Sequence, residues 1–308
     1  MPDQILLHAD ARTVVSPADC QEFHALLTDP PYSPETHAKP VSCSRIRGAT
    51  ERDFGFAPLD TDLLEYLAAC AAQVAGWAVM YSDLESAADL ARACEGAGAE
   101  RVRMIPWVRW SMPQLSADRP PQGAEMLVLL HGQDVGSRGG RKPRPKSWYG
   151  PGWLTHLAHG CMRGHDKHPT EKPLDQSLDL VHWFTTPGET VFDPCAGRGG
   201  LGVACALLGR GYVGCEIQAE HAVIGQERIR LARSKVLSTR DDDRVERWSA
   251  SVQERILKAE GILADEQAKI GRWQLKHPGE PVPDRLTPSV QNIRCLDAMR
   301  RDLLMVTE

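Results

Sequence analysis

The chain has 308 residues, a formal net charge of -5 and 25% charged residues. That length can bury a sizeable core, and the mildly acidic balance excludes a protein that holds nucleic acid by overall charge, so any such contact needs a local basic patch. No stretch nears the roughly 20 apolar residues that span a bilayer, and the opening MPDQILLHADART has no basic region leading into an apolar run, which argues against a secretion signal.

A short strand is expected at Ile5 to Asp10 and a second at Phe23 to Thr28, which runs straight into Asp29-Pro30-Pro31-Tyr32. Two prolines in succession end a strand and fix an extended, rigid turn. From Ser33 to about Asp53 the chain is polar and basic, and Lys39, Arg45, Arg47 and Arg52 make it a candidate for closing over a substrate. Leu63, Leu67, Cys70 and Val74 recur at helical spacing behind Asp60 or Thr61 as a cap, predicting a helix to about Val74. Trp77 to Tyr81 reads as a buried strand, followed by a helix from about Glu85 to Glu95 that Gly96 and Gly98 close. Strands are predicted at Val102 to Trp110 and at Glu125 to His131. The alternation predicts an α/β fold, a Rossmann-like mixed sheet with helices on both faces.

Between about Gly132 and Asp166 the pattern stops. Arg138, Arg141, Lys142, Arg144 and Lys146 form a positive run without an acid, and Trp148, Tyr149 and Trp153 follow. Such a run contacts phosphates and gives salt-dependent affinity, although an ordinary solvated loop has the same composition. His156, His159, Cys161, His165 and His168 fall within 13 residues, a spacing that zinc sites use. With one cysteine among them the cluster reads as a polar loop, and no metal is expected. Alternation resumes with a helix at about Leu174 to Trp183, a strand at Thr190 to Asp193, a helix at about Leu201 to Leu208, a strand at Tyr212 to Glu216 and a helix at about Glu220 to Ala232.

Beyond the acidic run Asp241 to Asp243, residues 245–273 are predicted as one amphipathic helix. Val245, Trp248, Val252, Ile256, Ala259, Leu263, Ile270 and Trp273 lie roughly on one stripe. That stripe packs on the chain's own catalytic domain or, in the sharper alternative, forms a homodimer. The nine cysteines are odd in number and lack paired spacing, as expected of a reduced, cytoplasmic protein with mostly buried thiols.

Three motifs carry chemistry. Asp29-Pro30-Pro31-Tyr32 sits at the end of a strand, where the sites of open α/β sheets lie. An exocyclic amine is a poor nucleophile because its lone pair is delocalised into the ring. A carboxylate and a rigidly held carbonyl that accept its two N–H bonds would pull the nitrogen toward tetrahedral geometry, and an aromatic beside them would stack on the base. The second motif, Val191-Phe192-Asp193-Pro194-Cys195-Ala196-Gly197-Arg198-Gly199-Gly200, runs from a strand into a helix, and its glycines permit a tight turn and close approach of a ligand. Glu216 ends the next strand, where a carboxylate would accept from ribose hydroxyls. This pattern alone does not separate a dinucleotide from S-adenosylmethionine. The third motif, His168-Pro169-Thr170-Glu171-Lys172-Pro173, is by itself a proline-bounded loop.

Together and in this order the motifs resemble the permuted β arrangement of the amino-methyltransferases of DNA, in which the catalytic motif precedes the cofactor motif. The resemblance covers roughly residues 4 to 232 and begins at His8-Ala9-Asp10. It implies S-adenosylmethionine as cofactor and methyl transfer to an exocyclic amine, N6 of adenine, in duplex DNA whose target base is flipped out. It implies that Asp29, the Pro30 carbonyl, Pro31 and Tyr32 form the catalytic turn, and that Asp193, Pro194, Cys195, Ala196, Gly197 and Gly199 line the cofactor. Glu216 would hold the ribose, Thr170 and Lys172 would sit near the methionine end, and Asp10 near the adenine. Where the family usually has Phe this chain has Cys195, and Arg198 and Gly200 replace the usual Ser or Thr.

The implied organisation is a catalytic half at 1–131, a target-recognition insert at 132–166, a cofactor-binding half at 167–235 and a helical extension at 236–308. Duplex DNA is the expected partner, with no membrane contact; a homodimer and a cognate restriction enzyme stay open as further partners. N4 of cytosine is the nearest rival acceptor, because Asp at the first motif position leans toward adenine and Ser toward cytosine without a strict rule. An RNA substrate, a protein amide or a non-catalytic DNA-binding relative fit less well, and a dehydrogenase would leave the first and third motifs without a role.

Overall fold

Ala25 to Leu27 and Trp77 to Tyr81 are buried along their whole length, so both faces of these strands must be covered, as in the middle of a parallel sheet. The structure, a computed structural model, describes residues 2–34, 36, 56–110, 123–132, 154–157, 171–288 and 290–307. Among the described residues the strands are β1 (Gln4–His8), β2 (Ala25–Thr28), β3 (Trp77–Ser82), β4 (Glu100–Trp110), β5 (Ala124–His131), β6 (Leu154–Leu157), β7 (Thr190–Asp193) and β8 (Gly211–Glu216). They form one 8-stranded sheet in the order β1-β8-β7-β2-β3-β5-β4-β6. Pairing is parallel from β1 across to β3, antiparallel on both sides of β5, and parallel again between β4 and β6.

The helices of this unit are α1 (Ala11–Val14), α2 (Thr61–Gln73), α3 (Ala87–Ala97), α4 (Leu174–Phe184), α5 (Gly200–Leu207) and α6 (Ala219–Arg233). Side chains alternate across a strand, which divides the core in two. Ala78 and Met80 of β3 join Leu67 and Cys70 of α2 and Leu90 and Cys94 of α3. Trp77, on the opposite face of β3, meets Phe184 of α4 with ring centroids 5.3 Å apart. Neighbouring β2 and β7 lead in opposite directions, β2 through α2 to β3 and β7 through α5 to β8. Such a switch point opens a crevice at the carboxyl ends of the two strands, and the Asp-Pro pairs of both motifs, Asp29-Pro30 and Asp193-Pro194, lie there.

Ser238 to Glu308 belongs to a second compact unit. Its helices are α7 (Thr239–Lys276) and α8 (Val290–Thr307), which pack against each other and bury Val252, Ile256, Leu296 and Met299. The long helix starts earlier than its apolar stripe predicts. Ser238 accepts from the Asp241 amide as a cap, and Asp241 and Asp242 occupy the first turn, where negative charge suits the helix dipole. Several elements are absent from the sequence expectation: α8, β6 within the stretch read as irregular, and the short α1 with the 3-10 turns Pro17–Glu22 and Asp284–Leu286. No helix among the described residues is long and apolar enough to cross a membrane.

Candidate active site

The register Ala25 to Val191 and Leu26 to Phe192 sets the ends of β2 and β7 side by side. There the Thr28 hydroxyl donates to Asp193 Oδ1 at 2.8 Å, the Cys195 amide to the same oxygen at 3.3 Å, and the Tyr212 hydroxyl to Oδ2 at 3.0 Å. Burial pushes the Asp193 carboxyl up to about 7, with the Thr28 and Tyr212 hydrogen bonds pulling the other way. One carboxyl thus ties β2, β7 and β8 together at the crevice floor.

The turn that follows needs its glycines. Gly197 and Gly199 have φ of +52° and +71°, and a Cβ on Gly199 would lie 3.1 Å from the Gly225 Cα of α6. The Gly197 amide donates to Glu216 Oε2 and the Gln218 amide to Oε1, both at 2.8 Å, so the carboxylate at the end of β8 is fixed in place. Asp10 caps α1 and pairs with Arg12 at 2.6 Å. Asp10, Asp29, Cys195, Gly197 and Glu216 all line one cavity of about 350 Å³, a size suited to a small-molecule cofactor.

At the other end of the cavity four polar side chains meet. The Lys172 ammonium lies 2.8 Å from Asp29 Oδ2 and 3.1 Å from Glu125 Oε2, and it donates to the Tyr32 hydroxyl at 3.0 Å. The Tyr32 hydroxyl in turn donates to Glu125 Oε2. The rings of Tyr81, Tyr32 and Trp107 stand 4.9, 5.0 and 5.8 Å from the ammonium, a favourable setting for a cation. Burial works against the charge of Lys172, yet Asp29 and Glu125 outweigh it and hold the amine above the usual lysine range. Burial pushes Asp29 up to about 6, Lys172 opposing and Glu125 adding to the rise. Asp29 Oδ1 is buried and takes no hydrogen bond among the described residues. A carboxylate with about four lone-pair sites therefore keeps unused acceptor capacity, and a buried oxygen of this kind calls for a donor.

The start of the loop after Tyr32 is anchored by Asp83, just past β3. Asp83 Oδ2 accepts from the Ser33 amide at 3.0 Å and from the Ser33 and Thr36 hydroxyls at 2.6 Å each; Oδ1 accepts from the Ser86 amide at 2.7 Å. Burial alone would raise this carboxyl, but the hydrogen bonds from Ser33, Ser86 and Thr36 bring it down to about 2. Its stabilising contribution is therefore complete above the unfolded value near 4 and fades as pH falls toward about 2. Replacing Asp83 with alanine is expected to cost about 2–3 kcal/mol in urea unfolding at pH 7. A cost below about 0.5 kcal/mol would contradict the anchoring role.

The structure brings together Asp10, Asp29, Pro30, Pro31, Tyr32, Lys172, Asp193, Pro194, Cys195, Ala196, Gly197 and Glu216 around one cavity, with Gly199 shaping its turn. Lys172, expected near a methionine end, has its ammonium on Asp29. Thr170 and the basic run Arg138, Arg141, Lys142, Arg144 and Lys146 lie outside the described residues, as does most of the histidine cluster. Glu125, Tyr81, Trp107 and Asp83 escaped the sequence reading. Glu125 left one signal, a carboxylate just ahead of the apolar run Met126 to Leu130.

Comparison with known proteins gives a consistent picture. The DNA methylase family model for N6 and N4 methyltransferases matches residues 23–227. The chain is 33% identical over 138 residues to the type II methyltransferase M.XycI of Xanthomonas campestris pv. cyanopsidis, covering 41% of this chain and 43% of that protein. It is 25% identical over 111 residues to M.HpaI of Haemophilus parainfluenzae, covering 36% and 35% respectively. It thus spans less than half the length of these curated relatives. The fold is similar to that of the M1.HpyAVI–SAM complex, with a TM-score of 0.53, 24% identity, and coverage of 74% of this chain and 99% of that one.

Proposed function

The chain belongs to the DNA methylase family of N6 and N4 methyltransferases, and from that premise we propose that it methylates N6 of a flipped-out adenine in duplex DNA, with S-adenosylmethionine as donor. The observation that carries this reading is the buried Asp29 carboxyl with unused acceptor capacity, one hydrogen-bonded strand away from the glycine turn.

The cavity residues fit the cofactor. Glu216 would accept from ribose hydroxyls, its orientation already set by two backbone amides; the Gly197–Gly199 turn would let backbone approach the cofactor, and Asp10, which lines the same cavity, would serve its adenine. Cys195, smaller than the usual Phe, lines the cavity and would help to hold the cofactor. When bound, S-adenosylmethionine supplies a sulfonium methyl group, and its transfer leaves the amine nitrogen with one proton to lose.

The chain's own residues hold the acceptor. Asp29 and the Pro30 carbonyl would take the two amine N–H bonds and stabilise positive charge that develops on nitrogen. Extruding the base costs a few kcal/mol, and stacking on Tyr32 would recover about 1–3 kcal/mol of it. Arg138, Arg141, Lys142, Arg144 and Lys146 would contact the DNA backbone, making affinity fall with salt.

Because Asp29 must be ionised to stabilise the positive charge developing on the amine, methyl transfer is expected to rise with pH through about 6. A rate at pH 5 about tenfold below the plateau would agree, since each pH unit below such a value removes about nine-tenths of the carboxylate. A flat profile from about pH 5 to 8 would not.

The base is tested by digesting DNA labelled from tritiated cofactor to nucleosides. Label in N6-methyladenine is expected; label in N4-methylcytosine would keep the site and overturn the base.

A further inference from the structure

Glu125 sits in a strand that is otherwise apolar as far as its terminal His131, beside Trp107 by register, and its side chain is 9% exposed. A carboxylate there is costly unless it is paired and hydrogen-bonded. Both conditions hold, through the Lys172 ammonium at 3.1 Å and the Tyr32 hydroxyl.

Charge explains why a second carboxylate is needed. Lys172 lies 2.8 Å from Asp29, and that pair alone is neutral, so it would offer little to an amine gaining positive charge. With Glu125 sharing the ammonium, the three groups carry one net negative charge. The groups that face Asp29 are Lys172 before α4, Glu125 in β5, Tyr32 after β2, Tyr81 in β3, and Asp193 and Cys195 at the end of β7. Of these, Lys172 alone is a cation, so what holds Lys172 sets the field at Asp29.

We propose that Glu125 is a positioning residue: it draws Lys172 and the Tyr32 hydroxyl to one side of the site, so that the ammonium does not neutralise the ionised Asp29 and one face of that carboxylate stays open to an incoming amine. Its use in catalysis rests on the methyl-transfer reading above.

The test is Glu125→Gln, which keeps the size and the contact with Tyr32 and removes the charge. Asp29 is followed by the 13Cγ resonance of aspartate-labelled full-length protein, assigned with Asp29→Asn. The Asp29 titration midpoint should fall by about one pH unit in Glu125→Gln, because Lys172 then pairs with Asp29 alone, and should rise in Lys172→Met. The kcat on duplex DNA should fall about tenfold, with the KM for S-adenosylmethionine within about twofold, and Glu125→Asp should restore part of it. A midpoint that stays in place in Glu125→Gln, or a wild-type kcat there, overturns the proposal. Should Glu125→Gln not fold, Glu125→Asp decides: a shorter carboxylate that holds the ammonium less closely should lower both the Asp29 midpoint and kcat, and parental values of both refute the shared ammonium. Midpoints that move as stated in a protein that puts no methyl on DNA would sink the functional reading and leave the hold on Asp29 standing.

Discussion

Replacing Asp29 with alanine is expected to lower the rate of methyl transfer by about 10²–10³-fold while leaving cofactor affinity within about threefold. The loss follows from geometry. Asp29 is the carboxyl of the turn proposed to be catalytic, Lys172 occupies only part of its acceptor capacity, and Oδ1 takes no hydrogen bond among the described residues. Nothing else in the turn supplies a negative charge to an amine that is becoming cationic. The substitution does not strand Lys172, because Glu125 remains 3.1 Å from its ammonium. Stability should move the other way. The folded-state value of Asp29, about 6, lies above the unfolded value near 4, so the folded protein loses stability as pH rises from about 4 to about 6. Above that window the ionised group opposes folding, and at pH 8 the alanine variant should melt at or above the temperature of the parent. Near-normal transfer in the variant, read in single-turnover kinetics, would remove Asp29 from the chemistry. A large drop in melting temperature would make its role structural.

The second large effect is expected at Glu216. Its carboxylate is already oriented by the amides of Gly197 and Gln218, so an arriving ribose meets a fixed acceptor and little ordering remains to be done. Hydrogen bonds to a charged acceptor are worth about 1.5–3 kcal/mol each, and Glu216→Ala should weaken S-adenosylmethionine binding by about 10–100-fold in calorimetry. Affinity within about threefold of the parent would place the ribose elsewhere in the cavity. Asp193 is a poorer choice for this test. It joins Thr28, Cys195 and Tyr212, and its loss would unmake the floor of the site together with any contact to the cofactor.

The sequence made the centre of this site legible for local reasons. Each of β2 and β7 is a short apolar run that an Asp-Pro pair stops, so the strand, its end and the carboxyl at that end are read from one stretch of chain. Gly98 closes its helix in the left-handed conformation that the pattern implied. What was not legible depends on pairing between distant strands. Glu125 reaches Lys172 and Tyr32 only because β5 runs antiparallel beside β3 and β4, and no local pattern states that register. Asp83 hides for the same reason, since its partners Ser33 and Thr36 lie about 50 residues earlier. The start of α7 was missed because an acidic run reads as a break between elements when it is in fact a well-capped first turn. Strand β6 is four residues long, too short to show alternation within a segment rich in glycine and proline.

The central claim is that this cavity brings a methyl donor and an amine of DNA together. The most direct measurement incubates the full chain with tritiated S-adenosylmethionine and unmethylated duplex DNA, and follows label in the DNA alongside cofactor binding by calorimetry. Label that enters DNA with the parent protein and disappears with Asp29→Ala is the predicted result. Cofactor that binds tightly in the cavity while no label reaches DNA would contradict the account and move the acceptor to another class of molecule.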